Sequence, residues 1–96
     1  MDIDEIVDYV SEENPEAIMF RNPDFYDAIV GYIINEEDLP VLVYDYNKMI
    51  ESLAAEYEEE EEIEDTILSA MEWIDYNTIR SLPYINIKGR PIILYN

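Results

Sequence analysis

Two short apolar runs place the tightest limits on this chain. Asp27-Ala28-Ile29-Val30-Gly31-Tyr32-Ile33-Ile34 is rich in β-branched residues, and Val41-Leu42-Val43-Tyr44 is similar. Between them lies Asn35-Glu36-Glu37-Asp38-Leu39-Pro40, a polar turn. Two such runs joined by about six residues read as an antiparallel hairpin. A two-stranded hairpin is marginal alone in water, so the flanking segments must pack on it.

Those segments carry helical signals. Asp2 can cap a first helix, with Glu5 as its capping-box partner. Ile3, Ile6, Val7 and Val10 fall on one stripe, and Asn14-Pro15 ends the helix. Asp45 caps a second helix, on which Tyr46, Met49, Ile50, Leu53 and Tyr57 hold helical spacing. Ile63, Ile67, Ala70, Met71 and Ile74 form the stripe of a third, running to about Asn77. Ala17-Ile18-Met19-Phe20 reads as a further short strand, with the end of a helix as the alternative, ahead of the turn Arg21-Asn22-Pro23-Asp24. Pro91 opens a last strand, Ile92-Ile93-Leu94-Tyr95, with Tyr84 to Ile87 as its hairpin partner across Lys88-Gly89. The expectation is one α+β domain over residues 1–96: a small antiparallel sheet of three to four strands packed by about three helices.

Charge narrows the function. The chain has 24 Asp/Glu against 5 Lys/Arg, a net charge of −19, yet 49% of it is hydrophobic. A disordered acidic tail would lack those aliphatic residues. With no His and no Cys, Ser-His-Asp and Cys-His catalysis, zinc fingers and disulfides are excluded. Direct binding to nucleic acid or to anionic lipid is opposed by repulsion. Met1-Asp2-Ile3-Asp4-Glu5 is acidic where a secretory signal needs bases, and no apolar run approaches a membrane span. The expected location is the cytoplasm of a bacterial host cell.

Two stretches carry a resemblance. Val43-Tyr44-Asp45-Tyr46-Asn47-Lys48-Met49-Ile50-Glu51 is the first. The second is Glu72-Trp73-Ile74-Asp75-Tyr76-Asn77-Thr78-Ile79-Arg80-Ser81-Leu82-Pro83-Tyr84, followed by Pro91-Ile92-Ile93. Together they resemble a group of small proteins of bacteria, phages and prophages with no assigned activity. That group joins a YDYxKxIExL segment through an acidic helix pair to a DYNTIRxLPY element. The resemblance spans roughly residues 26 to 96 and implies a fold and a phage or mobile-element setting. This chain departs from the group in its linker, where members often have a short mixed connection.

That linker, Glu56 to Asp65, is acidic at eight of its ten positions. It reads as a helix–helix connection plus the first turn of the third helix, where acids suit the dipole. Carboxylates are the only abundant catalytic groups. Glycoside hydrolysis would need one raised pKa inside a cleft, for which the domain has little room. Glu59/Glu62 and Glu72/Asp75 have the spacing that holds Mg²⁺ in all-α nucleotide pyrophosphatases, but so many acids produce such pairs by chance. No Asp-x-Asp-x-Asp-Gly loop or glycine-rich phosphate cradle is present. The expectation is a non-enzyme without cofactor or metal site.

What remains is the acidic surface itself. Duplex DNA carries one negative charge per about 1.7 Å of axis. Acids one helical turn apart, about 5.4 Å, approximate a phosphate row. The reading is a nucleic-acid mimic that blocks a basic DNA- or RNA-binding host protein, such as a CRISPR effector or restriction nuclease. The residues that carry it are Glu56, Glu58, Glu59, Glu60, Glu61, Glu62, Glu64 and Asp65, with Asp4, Asp8 and Glu12 as a second patch. The alternative is an interaction module, homodimeric through the edge strand Pro91 to Tyr95 or through a Tyr/Trp surface. Trp73, Tyr76 and Tyr84 read first as packed residues, and Arg80 as the partner of Glu72 or Asp75.

Overall fold

A computed structural model describes residues 1–21, 23, 25–56 and 63–95, and gives no placement for the side chains of residues 63 and 64. The first helix, α1 (Ile3–Glu13), begins where Asp2 Oδ1 accepts the Glu5 N–H at 2.9 Å. Its stripe buries Ile6 and Val10, with Ile3 and Val7 partly covered. It stops at Asn14, whose N–H reaches the Val10 carbonyl at 2.8 Å before Pro15 blocks further turns. The chain then runs irregularly to a short 3₁₀ turn, Tyr26–Ala28.

The hairpin follows as expected. Strand β1 (Ile29–Ile34) pairs antiparallel with β2 (Pro40–Asp45), with a bulge between Ile29 and Gly31. Asn35 closes the turn: its Oδ1 accepts the N–H groups of Glu37 and Leu39 at 2.9 and 3.1 Å. Asp38 takes a positive φ of 60°, which an Asp tolerates. Asp45 then caps α2 (Tyr46–Ala54), accepting the Lys48 N–H at 3.0 Å. Helix α3 (Ile63–Trp73) packs against α2 and widens into a π-helical segment, Ile74–Ile79. A 3₁₀ turn at Leu82–Tyr84 precedes the last strand, β3 (Ile92–Leu94).

The fold is α+β, with three α-helices and a three-stranded sheet of order β1-β2-β3 among the described residues. The sheet is mixed rather than wholly antiparallel. β3 lies parallel to β2, pairing Val43 with Ile92, Tyr44 with Ile93 and Asp45 with Leu94. The helices between β2 and β3 supply the long crossover that a parallel neighbour needs. Tyr84 to Ile87 therefore form no hairpin with the last strand. Nor is Ile18 to Phe20 a strand. The Ile18 N–H is taken by the Gly89 carbonyl at 2.9 Å and the Phe20 N–H by the Tyr44 hydroxyl at 3.1 Å, so no ladder forms.

Every residue of β2 is buried, as suits the central strand. Ile29, Leu42 and Tyr44 on one sheet face join Ile6, Val10, Met49, Ile50, Leu53, Ala70 and Ile74 in the helix-side core. The pairing puts Ile33, Val41, Val43 and Ile92 on the opposite face. Along α3 and the π segment that continues it, the buried line is Thr66, Ala70, Ile74 and Thr78. Ile67, expected inside, is 43% exposed, while Thr66 is 1% exposed. A line stepping by four residues belongs to a helix that unwinds past 3.6 residues per turn, as the π segment does.

Candidate interaction surface

The acids of α1 form the best-defined part of the candidate surface. Asp4, Asp8 and Glu12 are exposed and stand four residues apart, away from the buried Ile6 and Val10. At about 1.5 Å per residue, neighbours in this row are about 6 Å apart along the axis. Glu36, Glu37 and Asp38 are exposed in the hairpin turn.

The second set is described in part. Glu56 is exposed just past α2, and Asp65 is exposed on the first turn of α3. Glu64 lies in α3, its side chain outside the description. Glu58, Glu59, Glu60, Glu61 and Glu62 lie outside the described residues, as does Tyr57. α1 packs on β1 and β2, whereas α3 packs on α2, so the two acid sets sit on separately supported elements.

The aromatic set divides. Trp73 packs against the core, but Tyr76 is 70% and Tyr84 91% exposed. The packing expected of these two tyrosines is therefore wrong. Tyr76 sits on the solvent side of the π segment, whose buried positions are Ile74 and Thr78. Its ring takes the Arg80 guanidinium at 4.7 Å from the centroid. Asp75, one of the expected partners of Arg80, instead accepts the Tyr46 hydroxyl at 2.6 Å. Burial first, then the hydrogen bond and charge of Asp75 and the neighbouring Tyr95, push the Tyr46 phenol up to about 12. Tyr95, 4.9 Å from Tyr46 between centroids, is also raised, by burial and then by Asp75. The Tyr46–Asp75 contact ties α2 to the π segment across 29 residues, and the stripe on α2 gave no hint of it.

Asn14 is the other residue that sequence reasoning undervalued. It reads as a helix stop. In the fold it is 1% exposed and donates Nδ2 to the Pro40 carbonyl at 3.0 Å and the Lys88 carbonyl at 2.7 Å. Asn35 Nδ2 reaches the carbonyls of Ile87 and Lys88 at 3.1 and 3.2 Å. The two asparagines thus clasp the loop before β3 to both ends of the hairpin turn.

Among the described residues no group of three or more Asp or Glu side chains converges as a metal ion requires. None of the described helices is long and apolar enough to cross a membrane. No family model matches the chain, and no curated protein or solved structure matches it significantly.

Proposed function

We propose that this chain is an acidic binding protein that mimics nucleic acid and inhibits a DNA- or RNA-binding protein of a bacterial host. A phage or mobile-element setting, with a CRISPR effector or a restriction nuclease as target, fits the two sequence segments described above. The location is then the host cytoplasm. The observation that carries the reading is the exposed row Asp4, Asp8 and Glu12 on a capped, core-anchored helix. A fixed row of charge gains long-range attraction to an Arg/Lys groove and a fast on-rate. Glu56, Asp65 and the hairpin-turn acids extend the negative surface, and Glu58 to Glu62 and Glu64 add to it in sequence.

Capture from a bacterial lysate at low and high NaCl tests this. Basic nucleic-acid-binding proteins are retained at low salt and released steeply as salt rises. Lys substitution of residues 58–62 together with Asp4, Asp8 and Glu12 abolishes retention. Equal capture by the substituted protein refutes mimicry. A second reading, an apolar interaction module, draws on the exposure of Tyr76 and Tyr84. Capture through that surface tolerates or strengthens in salt and is lost on changing both tyrosines to Ser.

A further inference from the structure

We propose that the free edge of β1 is a docking edge: an extended partner segment, apolar at its centre and basic at both ends, adds there as a fourth strand. This goes beyond the mimicry reading and does not rest on it, because mimicry uses charge alone whereas strand addition uses the β1 backbone.

The sheet order leaves β1 with a neighbour on one side only. The Ile29 N–H is taken by the Tyr26 carbonyl, and among the described residues no turn or loop backbone bond involves Val30 to Ile34. Alternate N–H and C=O groups from Val30 to Ile34 therefore face outward with no strand to pair with among the described residues. Soluble proteins usually blunt such an edge with Lys, Pro or brevity. The other edge, β3, has three residues and follows Pro91. β1 has six residues, with no Pro and no charge from Ala28 to Asn35. Its one irregularity, the bulge, is confined to the start between Ile29 and Gly31. Val30, Tyr32, Ile33 and Ile34 are 39, 37, 43 and 53% exposed.

Both faces beside this edge offer seats for side chains. On one face Ile33, Ile87 and Ile92, with Glu36 and Arg90 at their margin, line a groove of about 280 Å³, large enough for an aliphatic side chain. On the other, Tyr32 stacks on Tyr9 of α1 with centroids 4.9 Å apart. Strand addition draws affinity from main-chain bonds and specificity from such alternating seats.

The charges at the two ends fix the occupant. At the start of β1, Asp2, Asp4 and Asp27 line an open groove with Ile29 and Val30, and Lys48 is the one base in that lining. At the finish stand Glu36, Glu37 and Asp38, beside Arg90, whose guanidinium is engaged by the carbonyls of Ile85 and Pro83. A second copy adding antiparallel would set its Asp27 end against the Glu36–Asp38 end of the first. Like charges meet at both ends, which opposes self-pairing. A partner strand with Lys or Arg at both ends meets acids at both.

The probe is a capped synthetic peptide, KKTVTVTVKK, added to isotope-labelled full-length protein. Amide exchange slows at alternate positions within Val30–Ile34. The same peptide with Glu in place of Lys, or the joint variant Glu36→Gln, Glu37→Gln and Asp38→Asn, weakens binding about tenfold. N-methylation of alternate peptide amides along one edge abolishes binding and leaves the protein untouched. The inference is overturned if the N-methylated or acid-ended peptide binds as tightly, or if β1 amides are unaffected. It is equally overturned if they are protected in the protein alone as sedimentation shows a dimer, since a second copy is then the occupant. Because the probe is a peptide and the readout is the β1 amides, failure here and failure of mimicry are distinguishable.

Discussion

Removing the Asn14 side chain should be among the most damaging single changes outside the apolar core. The amide is 1% exposed and makes three hydrogen bonds: Nδ2 to Pro40 O, Nδ2 to Lys88 O, and Oδ1 from Glu16 N–H at 3.2 Å. A net value of about 1 kcal/mol per bond, with a further penalty where a buried carbonyl loses its donor, puts Asn14→Ala at about 2–4 kcal/mol. A domain of this size has a total stability of roughly 5–14 kcal/mol. At roughly 4–8 °C per kcal/mol the melting temperature falls by about 8–32 °C. Urea unfolding followed by circular dichroism measures the first, and a thermal melt followed the same way measures the second. Asn14→Asp keeps the size but replaces the donor with oxygen facing two carbonyls. Its carboxyl pKa is therefore raised by the fold, so the variant regains stability as pH falls and loses it as pH rises through that value. Asn35 shares the Lys88 carbonyl with Asn14, so Asn14→Ala and Asn35→Ala together should be non-additive. A loss below about 1 kcal/mol for Asn14→Ala would refute the clasp.

Three further outcomes follow from the same structure. A Cβ on Gly89 would lie 1.9 Å from the Glu16 carbonyl oxygen, a backbone atom, so Gly89→Ala must displace residues 16–18 and costs about 1–3 kcal/mol by urea midpoint. The Tyr46 phenol titrates near 12 against an ordinary 10.0, so its stabilisation is complete below pH 10.0 and lost as pH rises to about 12. Tyr46→Phe deletes a step above the ordinary tyrosine range from the phenolate absorbance titration; loss of a step near 10.0 instead contradicts the Asp75 contact. Stability should also rise with salt. At 0.01 M the screening length of about 30 Å exceeds the 13.9 Å radius of gyration, whereas at 0.1 M it is about 10 Å. A melting temperature that stays flat or falls over that range contradicts a net repulsive surface.

Local signals in the sequence proved sufficient for the helix caps and the hairpin turn, though not at Ala17 to Phe20, where no strand forms. Asp2 and Asp45 cap because a short acceptor side chain before an apolar stripe satisfies free N–H groups wherever the rest of the chain lies. The Asn35–Pro40 turn is legible for the same reason. The choice of strand partner is not local. Pro91 to Tyr95 looks like half of a hairpin because Lys88-Gly89 looks like its turn. The turn does form, with Gly89 N–H on the Asn86 carbonyl at 3.0 Å, but its loop is held by Asn14 and Asn35. That capture delivers β3 to β2 in parallel. Two asparagines many residues upstream decide it, and no periodicity encodes them.

The candidate surface divides along the same line. Charge is legible from composition, since an acid opposite a buried stripe has nowhere to go but solvent; Asp4, Asp8 and Glu12 follow at once. Exposure of apolar groups is not legible, because it depends on which neighbours a strand or helix fails to acquire. Ile33 and Val41 look equivalent in the hairpin, and only the sheet order leaves Ile33 at a rim while Val41 is fully buried. A chain at −19 resists clumping through long-range repulsion. It can therefore leave a bare, uncharged edge that a neutral protein would have to cover, and only a partner of opposite charge comes close enough to use it.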